Sequence, residues 1–129
     1  YHKSKLVVGV ETLPFRDIVE PLLGNVMLDF GGTVLTRATQ EDREAFSLYN
    51  DIKISPVICY ESVYGEFVTG YVRNGAEVLA IMTNDAWWGD TAGHRQHMAY
   101  ASLRAIETRR TVVRSANTGI SGFSPSWSY

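Results

Sequence analysis

The sequence predicts an α/β fold with a mixed sheet that contains parallel strands. Its hydrophobic pattern switches repeatedly between the period of two that strands show and the period near 3.6 that helices show. Two strand–helix units follow one another in the second half of the chain, an order that favours neighbouring parallel strands. We therefore expect functional residues beyond the carboxyl ends of those strands.

The first half of the chain predicts short strands and tight turns. Residues 6–10 form an apolar run that predicts a strand, and apolar residues at helical spacing within 12–24 predict a short helix. Gly31-Gly32 accepts the positive φ angles of a two-residue turn, so a hairpin is expected there. A second hairpin is expected around Asn50-Asp51, where apolar residues alternate on both sides.

The second half gives clearer patterns. Residues 56–60 predict a buried strand, and apolar residues then recur at helical spacing from Val63 until Asn74-Gly75. Residues 78–82 predict a second buried strand and residues 94–109 a helix. Residues 111–115 predict a last strand, after which the serine- and tryptophan-rich end shows no strand pattern.

Composition narrows the functional classes. The chain has 129 residues, 45% of them hydrophobic, which suits one globular domain. Its formal net charge of −2 offers no general attraction to nucleic acid, and no apolar run approaches the ~20 residues that span a bilayer. Cys59 is the one cysteine, which excludes an internal disulfide. The chain opens on Tyr1 without a targeting segment, so we expect a piece of a longer protein.

Cys59 is the candidate nucleophile, because it ends an apolar strand just before a predicted helix. Backbone N–H groups at a helix start favour the thiolate, although a lone cysteine in a strand also suits an inert core position. Lys3 could stabilise a thiolate and an oxyanion, or be a solvated lysine. Glu11 and Glu61 could orient these groups, or be capping and surface carboxylates.

Other polar and aromatic residues give weaker signals. His94 and His97 share a helix face, but no third ligand has a recognisable spacing, so we expect exposed histidines and no metal site. Trp87 and Trp88 lie in one loop, and adjacent indoles cannot easily face the same core, so one is expected to point toward a ligand or an apolar surface. The arginines of the last third are expected to be mostly solvated; they are Arg95, Arg104, Arg109, Arg110 and Arg114.

Five motifs occur in an order that resembles the nitrilase (carbon–nitrogen hydrolase) superfamily. They are Lys3 with Glu11, Val57-Ile-Cys-Tyr-Glu61, Thr83-Asn-Asp-Ala-Trp-Trp-Gly89, Arg104-Ala-Ile-Glu-Thr-Arg109 and Asn117-Thr-Gly-Ile120. Within the superfamily the chain is most similar to the bacterial apolipoprotein N-acyltransferase branch, which the tryptophan-bearing loop separates from soluble amidases. The family pattern Leu-Val-Pro-Phe-Gly-Glu reads Leu6-Val-Val-Gly-Val-Glu11 here, so the presentation of Glu11 departs from it.

The resemblance implies a part of a four-layer αββα sandwich with a Glu–Lys–Cys triad. Cys59 matches the nucleophile and Lys3 the triad lysine, while the backbone N–H of Tyr60 would join Lys3 in an oxyanion hole. Glu11 and Glu61 resemble accessory carboxylates. The tryptophan loop, with Trp87, Trp88 and Asn84, would bind the acyl substrate.

The implied reaction is an acyl transfer that needs no cofactor. Cys59 would take an acyl chain from a phospholipid as a thioester and pass it to the N-terminal amine of a diacylglyceryl-cysteine lipoprotein. In the family this domain lies on the periplasmic side of the bacterial inner membrane, attached to membrane helices. Those helices and the triad glutamate are expected before Tyr1, so residues 1–129 by themselves are expected to be inactive.

Two alternatives remain open from the sequence. A soluble amidase of the same superfamily would pass the acyl group to water, hydrolysing a carbon–nitrogen bond. A non-enzymatic interaction module would carry Cys59 as an inert core residue.

Overall fold

The computed structural model of the protein describes residues 1–5 and 40–126, with Trp87 described in its main chain only. Five strands form one mixed sheet, in which neighbouring strands follow the order of the chain. In chain order the elements are β1 (Phe46–Ser47), β2 (Lys53–Ile58), α1 (Gly65–Arg73), β3 (Val78–Thr83), α2 (Gly93–Thr108), β4 (Thr111–Ala116) and β5 (Gly122–Ser124). Two short 3₁₀ turns, Cys59–Val63 and Ala86–Trp88, follow β2 and β3.

The centre of the sheet is parallel and its edges are antiparallel. β2 pairs with β3 and β3 with β4 in parallel, whereas β1 and β5 run antiparallel to their neighbours. The hairpin predicted around Asn50-Asp51 is confirmed, and both residues have positive φ, 71° and 61°. Asparagine and aspartate tolerate this left-handed conformation better than most residues, which explains the turn.

Both helices pack on the same face of the sheet. α1 contributes Phe67, Val68 and Tyr71 from one side, and α2 contributes Ala101 and Ala105, both fully buried. Alanines leave little side-chain bulk, so α2 can lie close to the strands. The buried apolar side chains are Val57, Phe67, Val68, Tyr71, Ala76, Leu79, Ile81, Ala101, Ala105 and Val112.

The predicted α/β class with parallel neighbours is confirmed, and two boundaries are corrected. The strand predicted over 56–60 ends at Ile58, because Cys59 has a φ of 55° that an extended strand does not accept. The segment after residue 122 was expected to lack a strand, but Gly122–Ser124 pairs with β4. The strand at 6–10, the helix within 12–24 and the Gly31-Gly32 hairpin lie outside the described residues.

The described part of the chain forms one helical layer over one sheet. This arrangement supplies two of the layers that an αββα sandwich requires. Among the helices in these residues, none is long and apolar enough to cross a bilayer.

The first five residues are held against this core. The hydroxyl groups of Tyr1 and Tyr71 are hydrogen-bonded to each other, and their rings pack with centroids 6.1 Å apart. Tyr71 is fully buried, and burial raises its pKa and that of Tyr1, so both phenols stay protonated at neutral pH. Tyr1 therefore anchors a segment that lies far from α1 in the sequence.

We expect Tyr71→Phe to loosen this anchor while keeping the packed ring. The Tyr1 hydroxyl loses its partner, which should cost about 0.5–1.5 kcal/mol of unfolding free energy by denaturant titration. Tyr100→Phe, at an exposed tyrosine of α2, is the matched control. Equal stability of Tyr71→Phe and Tyr100→Phe would contradict the anchor.

Candidate active site

The carboxyl ends of the three parallel strands bring several predicted residues to one edge of the sheet. Ile58 is in register with Met82, and Thr83 with Ala116. Cys59, Asn84 and Asn117 each follow directly after one of these strands, as the sequence predicted. The main-chain N–H of Asn117 donates to the carbonyl of Thr83 at 3.0 Å, which ties two of these ends together.

Cys59 opens the 3₁₀ turn and adopts a strained conformation. Its φ of 55° lies in the left-handed region, which a residue with a side chain adopts rarely and at a cost of about 1–3 kcal/mol. The residue is half-buried, so a reagent can reach the turn. Such strain persists only where the surroundings enforce it.

Glu61 joins the Cys59 turn to the first five residues. Its fully buried carboxylate accepts hydrogen bonds from the main-chain N–H groups of Ser4, of Lys5 at 3.1 Å, and of Ile58 at 2.7 Å. Burial raises the pKa of this carboxyl, although those three N–H groups and the charge of Lys3 oppose the rise. Glu61 is therefore an internal link between two distant segments.

Lys3 lies on the segment that Glu61 holds. It directly precedes Ser4, is half-buried, and is close enough for its charge to act on Glu61. The structure thus brings the Lys3 segment next to the turn that carries Cys59. Glu11 lies outside the described residues.

Three other predicted residues surround this edge. Tyr60 packs against the His97 ring at a centroid distance of 6.3 Å. The Asn84 side-chain oxygen accepts from the N–H of Ala86 at 3.2 Å, which forms an Asx turn at the start of the following 3₁₀ turn. Trp88 packs on the start of α2, where a Cβ at Gly93 would come within 2.2 Å of its ring.

His97 was expected to be exposed and is instead buried. It is only 2% exposed, and its Nδ1 lies 2.9 Å from the Asp85 carboxylate. Its Nε2 lies 3.1 Å from the Ser62 hydroxyl oxygen. Position 97 falls four residues before Ala101 on the inner stripe of α2, and this periodicity is the sequence signal that could have revealed it.

Two arginines expected to be solvated are also buried. Arg104 is 5% exposed and pairs with Glu107 at 3.0 Å, whereas Arg114 is 4% exposed and donates to Asp85 at 2.7 Å. Burial disfavours the Asp85 carboxylate, but hydrogen bonds from Arg114, His97 and Thr83 outweigh it and lower its pKa. A buried cation is retained where an anion pairs with it, and Asp85 is that anion for Arg114.

Metal ligation finds no support in residues 1–5 and 40–126. Across these positions the structure contains no group of three histidine, cysteine or acidic side chains arranged to hold an ion. The arrangement present is a strained cysteine beside a lysine-bearing segment, which suits nucleophilic chemistry.

The carbon–nitrogen hydrolase family matches residues 1–128. The chain belongs to this family. The predicted nitrilase-superfamily fold is therefore confirmed, with the mixed sheet and helical layer described above.

Curated relatives carry one name. The chain is 41% identical over 120 residues to the apolipoprotein N-acyltransferase of Rhizobium meliloti (strain 1021), an alignment that covers 92% of this chain and 22% of the relative. It is 34% identical over 129 residues to the apolipoprotein N-acyltransferase of Chlorobaculum tepidum, covering 95% and 24%. The chain thus spans roughly a fifth to a quarter of the length of these relatives.

Among solved structures, the chain is similar in fold to an amidase from Nesterenkonia sp. AN1. The E41Q mutant of that amidase carries the acetamide moiety of fluoroacetamide covalently at its active-site cysteine. The match has a TM-score of 0.54 at 18% identity and covers 70% of this chain and 36% of the amidase.

We expect Glu61→Gln to undock the first five residues. The NH₂ group of the glutamine amide would face main-chain N–H groups that also donate. Some of these polar groups would then lack an acceptor, at a cost of about 1–3 kcal/mol in unfolding free energy. Urea denaturation of the intact protein measures this loss, and limited proteolysis should cleave near residues 1–5 more readily. Glu66→Gln, at an exposed glutamate of α1, is the control. Unchanged stability and protection in Glu61→Gln would refute the link.

The lowered pKa of Asp85 predicts how the unfolding free energy changes at acidic pH. Because that pKa lies below the ordinary 3.8, the unfolded chain takes up the proton first as the pH falls. The advantage of the wild type over Asp85→Asn should thus be full at neutral pH and shrink below 3.8. Unfolding free energies measured across this range test it, with Asp90→Asn at an exposed loop carboxylate as control. A wild-type advantage that grows in acid would disprove the assignment.

Proposed function

We propose that this chain supplies the nucleophile and the lysine of an apolipoprotein N-acyltransferase. The reaction moves a fatty acyl chain from a phospholipid, through a thioester on Cys59, to the N-terminal amine of an apolipoprotein. The names of its relatives support this function, at 41% and 34% identity.

One observation carries the proposal: Glu61 holds the Lys3 segment against the Cys59 turn. The N–H groups of Ser4 and Lys5 donate to the same carboxylate oxygen of Glu61, which lies two residues after Cys59. An ammonium group beside a thiolate stabilises that anion and the oxyanion that forms when the thiolate attacks a carbonyl. The pair therefore suits an acyl transfer at a carbonyl carbon.

In the first step the Cys59 thiolate attacks the ester carbonyl of a phospholipid. A carbon–sulfur bond forms, the ester carbon–oxygen bond breaks, and the lysophospholipid leaves after its oxygen takes up the proton that the general base removed from the Cys59 thiol. Lys3 and the main-chain N–H of Tyr60 bind the oxyanion during the attack. The products are an acyl thioester on Cys59 and a lysophospholipid.

In the second step the amine of a diacylglyceryl-cysteine lipoprotein attacks the thioester. A carbon–nitrogen bond forms, the carbon–sulfur bond breaks, and the amine loses a proton as the thiol is restored. A thioester keeps the acyl group reactive toward an amine, so covalent catalysis divides one difficult transfer into two easier steps.

Other residues complete the proposed site. A glutamate upstream of Lys3 in the intact protein acts as the general base, and Glu11 and Glu61 act as accessory carboxylates. The loop with Asn84, Trp87 and Trp88 contacts the acyl chain. The domain works on the periplasmic face of the bacterial inner membrane, where both lipid substrates are found.

Mass spectrometry of the intact protein tests the function. After incubation with a phospholipid of defined acyl chains, the peptide that contains Cys59 should gain one acyl mass, and hydroxylamine should remove it. A diacylglyceryl-cysteine peptide added next should gain that acyl group on its amine.

Variants separate the roles of the two residues. Cys59→Ser should carry no thioester, and Lys3→Met should slow acylation by about 10²–10³-fold, the usual loss when one oxyanion donor is removed. Lys53→Met, at an exposed lysine of β2, is the control. Acyl transfer to water in place of the amine would identify an amidase-like hydrolase, and an unacylated Cys59 would overturn the proposal altogether.

A further inference from the structure

A connected set of buried polar side chains lies beneath Cys59 and has no part in the reaction above. Ser62, His97, Asp85 and Arg114 are between 0% and 4% exposed. They come from the Cys59 turn, from α2, from the loop that follows β3 and from β4. Burying these groups is unfavourable unless each is hydrogen-bonded, so their arrangement needs a physical reason.

The hydrogen bonds fix the orientation of the His97 ring. The Nδ1 of His97 lies 2.9 Å from the Asp85 carboxylate and 3.2 Å from a guanidinium nitrogen of Arg114, so both partners hold this side of the ring. Asp85 in turn accepts from Arg114 at 2.7 Å and from the Thr83 hydroxyl at 2.9 Å. Gly119 closes against this carboxylate, since a Cβ there would come within 2.8 Å of it. The ring can therefore turn only its Nε2 toward Cys59.

The contacts converge on one main-chain atom, the carbonyl oxygen of Cys59. The Ser62 hydroxyl donates to it at 2.9 Å, and the Nε2 of His97 lies 3.2 Å from it. This carbonyl belongs to the residue whose φ of 55° is strained. Holding the carbonyl from the inside opposes relaxation of the peptide toward an ordinary conformation, and the main-chain angles of Cys59 set the direction of its side chain.

We propose that His97, held by Asp85 and Arg114, is a positioning residue that keeps Cys59 in its left-handed conformation and so directs the sulfur at the acyl donor. The catalytic part of this role, the aiming of the sulfur at the acyl donor, rests on the proposed function. The structural part, in which His97 controls the reactivity of Cys59, does not depend on that function.

The same residues have the order of a Ser–His–Asp triad, but the geometry excludes that use. Ser62 is fully buried, and its hydroxyl already donates to the Cys59 carbonyl. A serine nucleophile must reach a substrate carbonyl. Ser62 therefore stabilises the turn, and the half-buried Cys59 is the more accessible of the two.

Two substitutions at His97 separate positioning from general stability. In His97→Gln the amide can reach the place of Nε2 and keep a donor near the Cys59 carbonyl. In His97→Asn the shorter amide can replace Nδ1 toward Asp85 but does not reach that carbonyl. His94→Asn, one turn earlier on α2, is the matched control.

The experiment measures three quantities in the intact protein: single-turnover acylation of Cys59, KM for the phospholipid, and the rate of Cys59 alkylation by iodoacetamide over a pH series. We expect His97→Asn to slow acylation by about tenfold or more, with KM within about twofold, because misplacement of a reacting atom lowers the rate of the chemical step. His97→Gln should recover part of the rate. The rate of Cys59 alkylation by iodoacetamide should change most in His97→Asn and less in His97→Gln.

If His97→Asn and His97→Gln lose acylation rate equally, in step with their melting temperatures, the positioning role is overturned. Unchanged acylation rates in both variants would also overturn it. If the histidine variants fold poorly, Ser62→Ala gives an independent test, because it removes the second contact to the Cys59 carbonyl. This variant should slow acylation without raising KM. An acylation rate equal to that of the wild type would count against the proposal. If the wild type takes no acyl group from phospholipid, the proposed function fails, and the alkylation rates alone decide whether His97 positions Cys59.

Discussion

The site depends above all on one buried carboxylate that accepts hydrogen bonds from two distant segments. Glu61 accepts from the N–H groups of Ser4 and Lys5, 57 and 56 residues earlier, and from that of Ile58, just before Cys59. A buried carboxylate without such donors would be strongly unfavourable, so the link and the burial require one another. The Tyr1–Tyr71 pair and the Lys5 ammonium, 5.6 Å from the centroid of the Phe67 ring, also hold this segment, but against α1.

Two polar systems therefore meet at the Cys59 turn from opposite directions. Glu61 ties the turn to residues 1–5, and His97 ties its first carbonyl to Asp85 and Arg114. The first system brings the Lys3 segment next to Cys59, and the second contacts the Cys59 carbonyl. A strained residue needs such support on several sides, because a single contact can be broken for less free energy than the strain releases. The hydrogen bonds that stabilise this part of the fold are thus the ones that build the candidate site.

Residues 40–126 also show where sequence reasoning was least reliable. His97, Arg104 and Arg114 were expected at the surface because polar residues on helices and strands are usually solvated. Each instead lies on an inward-facing position and has a polar partner. The pattern of apolar residues marks which face is buried, but it does not say which polar side chain on that face finds a partner.

The sequence by itself determined the α/β class, the order of strands and helices through β4, and the place of Cys59 next to the carboxyl end of a strand. These features follow from hydrophobic periodicity and turn residues, which act over a few neighbouring positions. Tertiary structure alone decided that Cys59 has a positive φ, and that Ser62 meets His97 across 35 residues. Contacts between residues so far apart in the sequence depend on how the helices pack on the sheet. The local hydrophobic pattern does not identify the partner on the other side of the core.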